Sequence, residues 1–231
     1  MSAPGQFTCE ELLGPLNEVE AKYAPKCIYA QGDRDILSNG FRVSIVGSRK
    51  ASMDGLRRAR KLAQLVCSHG GVVVSGLAAG IDAAAHKGAI TAGGRTVAVI
   101  GTALDKFYPR ENADLQRLIM AEHLCISQFP IGYPITPGNF PMRNRTMALF
   151  SDATAIVEAG EKSGSISQGW EALRLGRSLF ISKWLVEEAG LEWPRKMMEY
   201  GAQVLTDDSV EELFLALPER DATLELDVFA F

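Results

Sequence analysis

The sequence predicts an α/β fold in which a mostly parallel sheet is doubly wound by helices. Three features predict it: short β-branched runs, longer helical stretches between them, and glycine turns where one gives way to the other. The runs are VSIVG (43–47), GVVVSG (71–76), TVAVIG (96–101), LCISQF (124–129), ATAIVEA (153–159), SLFIS (178–182) and AQVL (202–205). Most are apolar at nearly every position, as parallel strands are when helices cover both faces of their sheet. Strand, helix, strand in repetition then requires right-handed crossovers. The architecture so defined is Rossmann-like.

Helices are expected at about 53–69, 81–92, 112–122, 142–151, 165–176 and 194–200. Ser52 can cap the first, which carries Leu56, Ala59, Ala63 and Val66 on one face and ends at Gly70-Gly71. Gly93-Gly94 closes the second in the same way. The segment 130–141, PIGYPITPGNFP, holds four prolines and two glycines and is expected to be irregular. Residues 1–42 read as a lead-in with one short amphipathic stretch at 9–22, residues 43–206 as the Rossmann-like domain, and 207–231 as an acidic C-terminal helix and tail. The apolar residues of the last dozen, Leu224 to Phe231, set between acids, suit a disordered tail, an added edge strand or a peptide that docks onto a second copy or a partner.

Composition narrows the functional classes. With 47% apolar and 23% charged residues among 231, the chain reads as a soluble globular protein. No apolar run approaches the roughly 18 residues of a membrane span, and MSAPGQFTCEELLG has no signal-peptide pattern, so a cytoplasmic, membrane-free location is expected. Cys9, Cys27, Cys67 and Cys125 lack CxxC spacing and His69, His86 and His123 are dispersed, so reduced thiols and no metal site are expected. The net charge of −4 argues against a nucleic-acid partner until its distribution is considered. Residues 206–231 carry eight acids and one base, which leaves the body with 23 bases against 20 acids.

Ligands of open α/β sheets bind beyond the carboxyl ends of the strands. The first strand here exits into Gly47-Ser48-Arg49, the second into SGLAAGIDAAAHKG (75–88), the third into GTALDKFYP (101–109). Glycine lets backbone N–H groups approach a ligand, the next helix N-terminus favours an anion, and Arg49 offers a planar fork for phosphate oxygens. NFPMRNRTMALFSD (139–152) is read as placing Arg143, Asn144 and Arg145 at a helix start. Cations there oppose the helix dipole unless an anion is bound; the alternative is an ion pair with an acid such as Asp152 or Glu158. Ser163-Gly164-Ser165 opens the next helix as a second anion cradle, or simply as its cap. Asp82 and His86 share a helix face, which reads as a structural hydrogen bond rather than a catalytic pair. GxGxxG and Walker A motifs are absent, so no NAD, ATP or other cofactor is expected.

Taken in order, IVGSRKAS, GVVVSGLAAGIDAAAHKGAI, GGRTVAVIGTALDKFYPREN, FPMRNRTMALFSDATAIVEAGEKSGS and GRSLFIS resemble the Rossmann-like domain of the DNA-processing protein A (DprA/Smf) family, over roughly residues 24–182. The resemblance implies a dimeric protein that holds single-stranded DNA in a basic pocket and helps load RecA recombinase during natural transformation and recombination; whether it is also an enzyme is left open, with a non-enzymatic role favoured. It implies phosphate contacts from Ser48, Arg49 and Lys50, a pocket floor from Gly76 and Leu77, a wall from Arg143, Asn144 and Arg145, and a rim from Ser163, Gly164 and Ser165. Phe140 or Tyr133 is placed to stack a base.

The chain departs from that family after residue 182, where KWLVEEAGLEWPRKMMEYGAQVL replaces a Pro-Gly turn, and at Gln168-Gly169 after the SGS motif. A nucleotide-derivative sensor, or a phosphoribohydrolase of the wider superfamily, is the competing reading. The hydrolase needs a glutamate where this chain has Gln168, and an amide supplies neither charge nor base.

Overall fold

A computed structural model describes residues 4–206 together with Val210, Phe214 and Leu217. The Rossmann-like body runs β3 (Arg42–Gly47), α3 (Met53–Ser68), β4 (Val72–Ser75), α4 (Ile81–Thr91), β5 (Arg95–Val99), α5 (Ala113–Glu122) and β6 (Leu124–Ser127). It continues through α6 (Asn139–Leu149), β7 (Ala153–Glu158), α7 (Gly164–Arg174), β8 (Ser178–Ser182), α8 (Lys183–Glu187), α9 (Trp193–Glu199) and β9 (Gln203–Leu205). Preceding these are β1 (Gly5–Phe7), α1 (Cys9–Leu13), α2 (Glu18–Tyr23) and β2 (Ile28–Gly32).

The strands form one sheet in the order β1-β2-β6-β5-β4-β3-β7-β8-β9. From β6 to β9 all neighbours are parallel, and β2 and β1 extend the β6 edge antiparallel. The chain winds outward from β3 to β6, then returns to the other side of β3 with β7. The doubly wound expectation therefore holds, and the order reverses between β3 and β7.

Alternation along the strands builds two apolar layers. Val72, Val74, Val97, Val99, Ile156, Leu179 and Ile181 face one side, under Met147 and Leu149 of α6, Leu175 just after α7, and Met197 of α9. Val43, Ile45, Val73, Ala155 and Phe180 face the other, under Ala59, Ala63 and Val66 of α3 and Ala85 and Ala89 of α4. Phe214 joins that second layer with its ring 5.6 Å from Phe41. Beneath α5, Ala98, Ile100 and Cys125 pack with Leu115 and Ile119.

Three sequence readings change. The stretch at 9–22 is two short helices, because Gly14, at φ 81°, and Pro15 interrupt it; each helix has its own capping box, from Thr8 and from Asn17. Residues 5–7 and 28–32 are strands of the main sheet. Helix α6 starts at Asn139, three residues before its expected start, since Pro141 in the first turn lacks only an N–H that would bond nothing there. Most of the acidic C-terminal segment, with its proposed docking residues, lies outside the described residues. No helix among the described residues is long and apolar enough to cross a membrane.

Candidate anion-binding site at the carboxyl edge of the sheet

Where strand order reverses, a cavity of about 660 Å³ opens between the exits of β3 and β7 and the helices α6 and α7. Eight of the eleven residues expected to bind line it: Ser48, Arg49, Lys50, Arg143, Asn144, Ser163, Gly164 and Ser165. Gly76 lines an adjoining niche of about 140 Å³ that shares Arg49, Ala78, Phe140 and Arg143 with the main cavity. Leu77 and Arg145 line neither.

Close backbone approach shapes the β3 exit. A Cβ on Gly47 would come within 2.6 Å of both the Glu158 carbonyl oxygen and Ile81. One on Gly80, at φ 76°, would fall on the Ser48 carbonyl, which accepts from the Ile81 N–H at 3.2 Å. Only glycine lets these turns nest. Within the loop, Ser48 Oγ accepts from the Lys50 N–H at 3.1 Å, which turns the chain so that Arg49 and Lys50 stand exposed. The Arg49 guanidinium lies 5.2 Å from the centre of the Phe140 ring, and among the described residues it has no carboxylate within ion-pair distance.

The N-terminus of α3, which the sequence offered as part of the phosphate cradle, is already occupied. Glu158 accepts from the Ser52 N–H at 2.9 Å and from the Ser52 hydroxyl at 2.5 Å, and a Cβ on Gly55 would fall on its carboxylate. The N-terminus of α7 is open instead. Ser163 caps it, sharing a 2.6 Å hydrogen bond with the Ser165 hydroxyl, and side chains on Gly160 or Gly164 would meet nothing within 4 Å. Asn144 donates to the Gly164 carbonyl at 3.1 Å and so ties α6 to this turn.

The two arginines of α6 do not sit at its start, since the helix begins four residues before Arg143. Arg143 is buried, donates to the Val99 carbonyl at 3.0 Å, and lies beside Asp82. Its guanidinium fills the space a Cβ on Gly76 would need. Burial pushes the Asp82 carboxyl up, against the pull of Arg143, the Ala78 and Gly76 N–H groups and Arg49. Arg145 points elsewhere: its Nε donates to Glu171 Oε1 at 3.0 Å. The expected acids do not receive these arginines, because Asp152 holds the buried Arg42 in a two-pronged pair and Glu158 caps α3.

Leu77 is fully buried in the core, its backbone in the left-handed region at φ 58°. The Asn112 amide holds its carbonyl at 2.9 Å, so the residue shapes the turn without touching a ligand. His86 does not bond Asp82; its Nδ1 lies 2.7 Å from Thr96 Oγ1, and burial pulls its pKa down to about 3. Phe140 lines the cavity, resting over Gly101 and 5.6 Å from Tyr108, whereas Tyr133 packs on Phe129 away from it. Lys162 was missed, although it immediately precedes the Ser163 turn. Arg49, Lys50, Arg143 and Lys162 thus face only Asp82 and Glu161 among the lining acids, a net positive cavity rimmed by hydroxyls and backbone amides.

Fold and site together define a Rossmann-like protein with a net positive cavity at its switch point. The family model of DNA recombination-mediator protein A matches residues 11–216, and the chain belongs to that family. It is 36% identical to the DNA processing protein DprA of Bacillus subtilis over 85% of this chain and 66% of that one. Identity is also 36% to the Streptococcus pneumoniae protein, over 79% and 64% of the two chains. The chain therefore spans about two thirds of the length of these curated relatives. The solved Streptococcus pneumoniae DprA superposes with a TM-score of 0.80 at 31% identity, covering 93% of this chain and 75% of that one. DNA processing protein A from Helicobacter pylori, solved for its single-stranded DNA binding mode, gives 0.78 at 26%, covering 92% and 97%. A molybdenum cofactor binding protein from Rippkaea orientalis shares the fold alone, with a TM-score of 0.54 at 16% identity, over 76% and 94%.

Proposed function

We propose that the cavity holds single-stranded DNA by its phosphate backbone, without reading sequence. The observation that carries this reading is the exposed guanidinium of Arg49, with no carboxylate within ion-pair distance among the described residues, lining one cavity with the open Ser163 turn. A phosphodiester would meet Arg49, Lys50 and Lys162 as cations and the Ser163, Gly164 and Ser165 turn as a donor set, with Ser48 shaping the loop. Arg143 and Asn144 form the rear wall, where Arg143 contributes field more than contact. Phe140, held against Gly101, offers a face for one base. Backbone neutralisation of this kind weakens steeply with salt. Loading of RecA recombinase, a homodimer and a cytoplasmic setting complete the proposal, supported by the family to which the chain belongs.

Fluorescence anisotropy with labelled oligo-dT at two salt concentrations tests it. Tight binding that falls with salt, and falls again in Arg49→Ala, is expected; equal affinity in Arg49→Ala overturns the assignment. A cavity of about 660 Å³ also fits a single nucleotide derivative, so the sensor reading is tested in the same assay. Nucleoside monophosphates that bind where oligo-dT does not would favour it. Hydrolysis has less support, since Gln168, buried and donating to Thr154 Oγ1 at 3.4 Å, stands where that chemistry needs a carboxylate.

A further inference from the structure

A second cavity, of about 410 Å³, lies on the far side of the Arg49-Lys50 loop, between α3 and the N-terminal half of α4. The two cavities have only Arg49 and Lys50 in common. Arg60 of α3 and Lys87 of α4 add two more cations, against the single carboxylate of Glu111. Both are exposed, and among the described residues neither has a carboxylate within ion-pair distance. By contrast, Arg57 on the same α3 pairs with Asp54 at 2.9 Å.

The helices are locked where these cations stand. A Cβ on Gly88 would come within 2.9 Å of the Arg60 Cα and carbonyl oxygen, so glycine there lets the two backbones touch. Arg60 is thereby fixed beside Lys87, the residue preceding that glycine. Ala79, Gly80, Ala83 and Ala84 leave the floor free of bulk, and no aromatic ring lines the cavity. Cations over a floor without bulk or rings suit a phosphate rather than a base.

We infer that a bound single strand does not end in the first cavity but crosses the Arg49-Lys50 ridge, and that Arg60 and Lys87 hold its next phosphates. The inference rests on the proposed DNA reading and extends it to the strand's path. A free phosphate would fill one cavity and has no use for a shared wall; a continuous polyanion uses both sides of it.

The test is anisotropy with an oligo-dT series of about 4 to 16 nucleotides, comparing the wild-type chain with the double variant Arg60→Ala, Lys87→Ala. The shortest strands are expected to bind both proteins equally. The longest should bind the double variant about tenfold more weakly at low salt, a difference of about 1.4 kcal/mol. Its log-log salt slope should shrink by about 1.4, the contribution of two single-strand phosphates. Arg57→Ala, removing a paired cation outside the cavity, should leave the slope unchanged. Equal affinity and slope at every length, with Arg49→Ala still weakening binding, would overturn the path while sparing the first site. A slope that shrinks as much in Arg57→Ala also overturns it, because the effect is then a diffuse field. If Arg49→Ala is without effect, the DNA reading itself fails, and the path with it.

Discussion

The loop after β3 and the middle of α6 each carry an arginine into the same cavity, yet they use it oppositely. Arg49 stands exposed on a glycine-built loop with an aromatic face beside it and, among the described residues, no carboxylate within ion-pair distance. Arg143 is buried on a helix, bonded to the Val99 carbonyl and facing Asp82. Loops at strand ends can present charge to solvent, and therefore to a ligand, because their backbone needs are met by neighbouring turns. A cation buried in a helix layer is costly unless internal groups compensate it. The lesson is that Arg143 should govern stability and Arg49 affinity.

The largest effect expected is on the buried side. Arg143→Ala leaves the Asp82 carboxyl without its chief counter-charge and opens a void against Gly76. Leaving the buried Val99 carbonyl without its donor and the buried Asp82 carboxyl without its nearest cation costs on the order of 1 to 3 kcal/mol for each group. Urea unfolding should therefore show a sharply lower midpoint, whereas a midpoint within experimental scatter would make Arg143 as free as Arg49 and erase the contrast.

Acid should probe the same layer. The folded pKa of His86 is pulled down to about 3 by burial, below the roughly 6.5 of an unfolded histidine. The unfolded chain then binds more protons between those values, so this group's share of stability is whole above 6.5 and drains away as pH falls toward 3. At pH 4 the loss is on the order of 3 kcal/mol. Asp82, whose carboxyl is pushed up, works in the opposite sense, its share falling as pH rises through its folded pKa. Comparing wild type with His86→Gln, which keeps a hydrogen-bonding group for Thr96, isolates the histidine. Unfolding midpoints at pH 7 and pH 4 should converge in the variant; an undiminished drop would mean other groups carry it.

On the loop side the order of effects reverses. Arg49→Ala is expected to change stability by less than about 0.5 kcal/mol, as exposed substitutions do. Its log-log salt slope for oligo-dT should fall by about 0.7, one single-strand phosphate. A melting temperature lowered as far as in Arg143→Ala would show that the loop is a structural clasp.

The strands of the body were legible because buried parallel strands announce themselves as unbroken apolar runs, VSIVG and SLFIS above all. IYAQG of β2 was not, since an antiparallel outer strand with half-exposed positions gives only a short, polar-broken pattern. The start of α6 was masked by Pro141, whose effect depends on whether it falls in the first turn or later. At the site, GSR and SGS could be located from the sequence as glycine and hydroxyl turns at strand exits, but not told apart from a plain turn and a helix cap. The fate of Arg143 could not be read, as it is decided by Gly76 and Asp82 from another unit of the fold. Nor could the α3 N-terminus, where only the sheet order brings Glu158 to Ser52. Arg60 and Lys87 meet through a helix crossing at Gly88 that no spacing rule encodes.

The smallest effect is expected from Arg145, which sharpens the comparison by being exposed yet spoken for. Its Nε is 3.0 Å from Glu171 Oε1, while Arg174 takes the other carboxylate oxygen at 2.8 Å. Removing Arg145 leaves Glu171 with one partner, so Arg145→Ala should cost less than about 1 kcal/mol. Because the side chain lines neither the main cavity nor its niche, oligo-dT affinity and salt slope should match wild type. Glu171→Gln supplies the converse, uncoupling Arg145 without deleting it. If Arg145→Ala weakens binding as much as Arg49→Ala, and Glu171→Gln tightens it, then an ion pair at the α6 surface is a reserve of charge that the strand can draw on. Availability would then be set by how readily a pair opens, and the division between loop and helix would give way to one between weak pairs and buried ones.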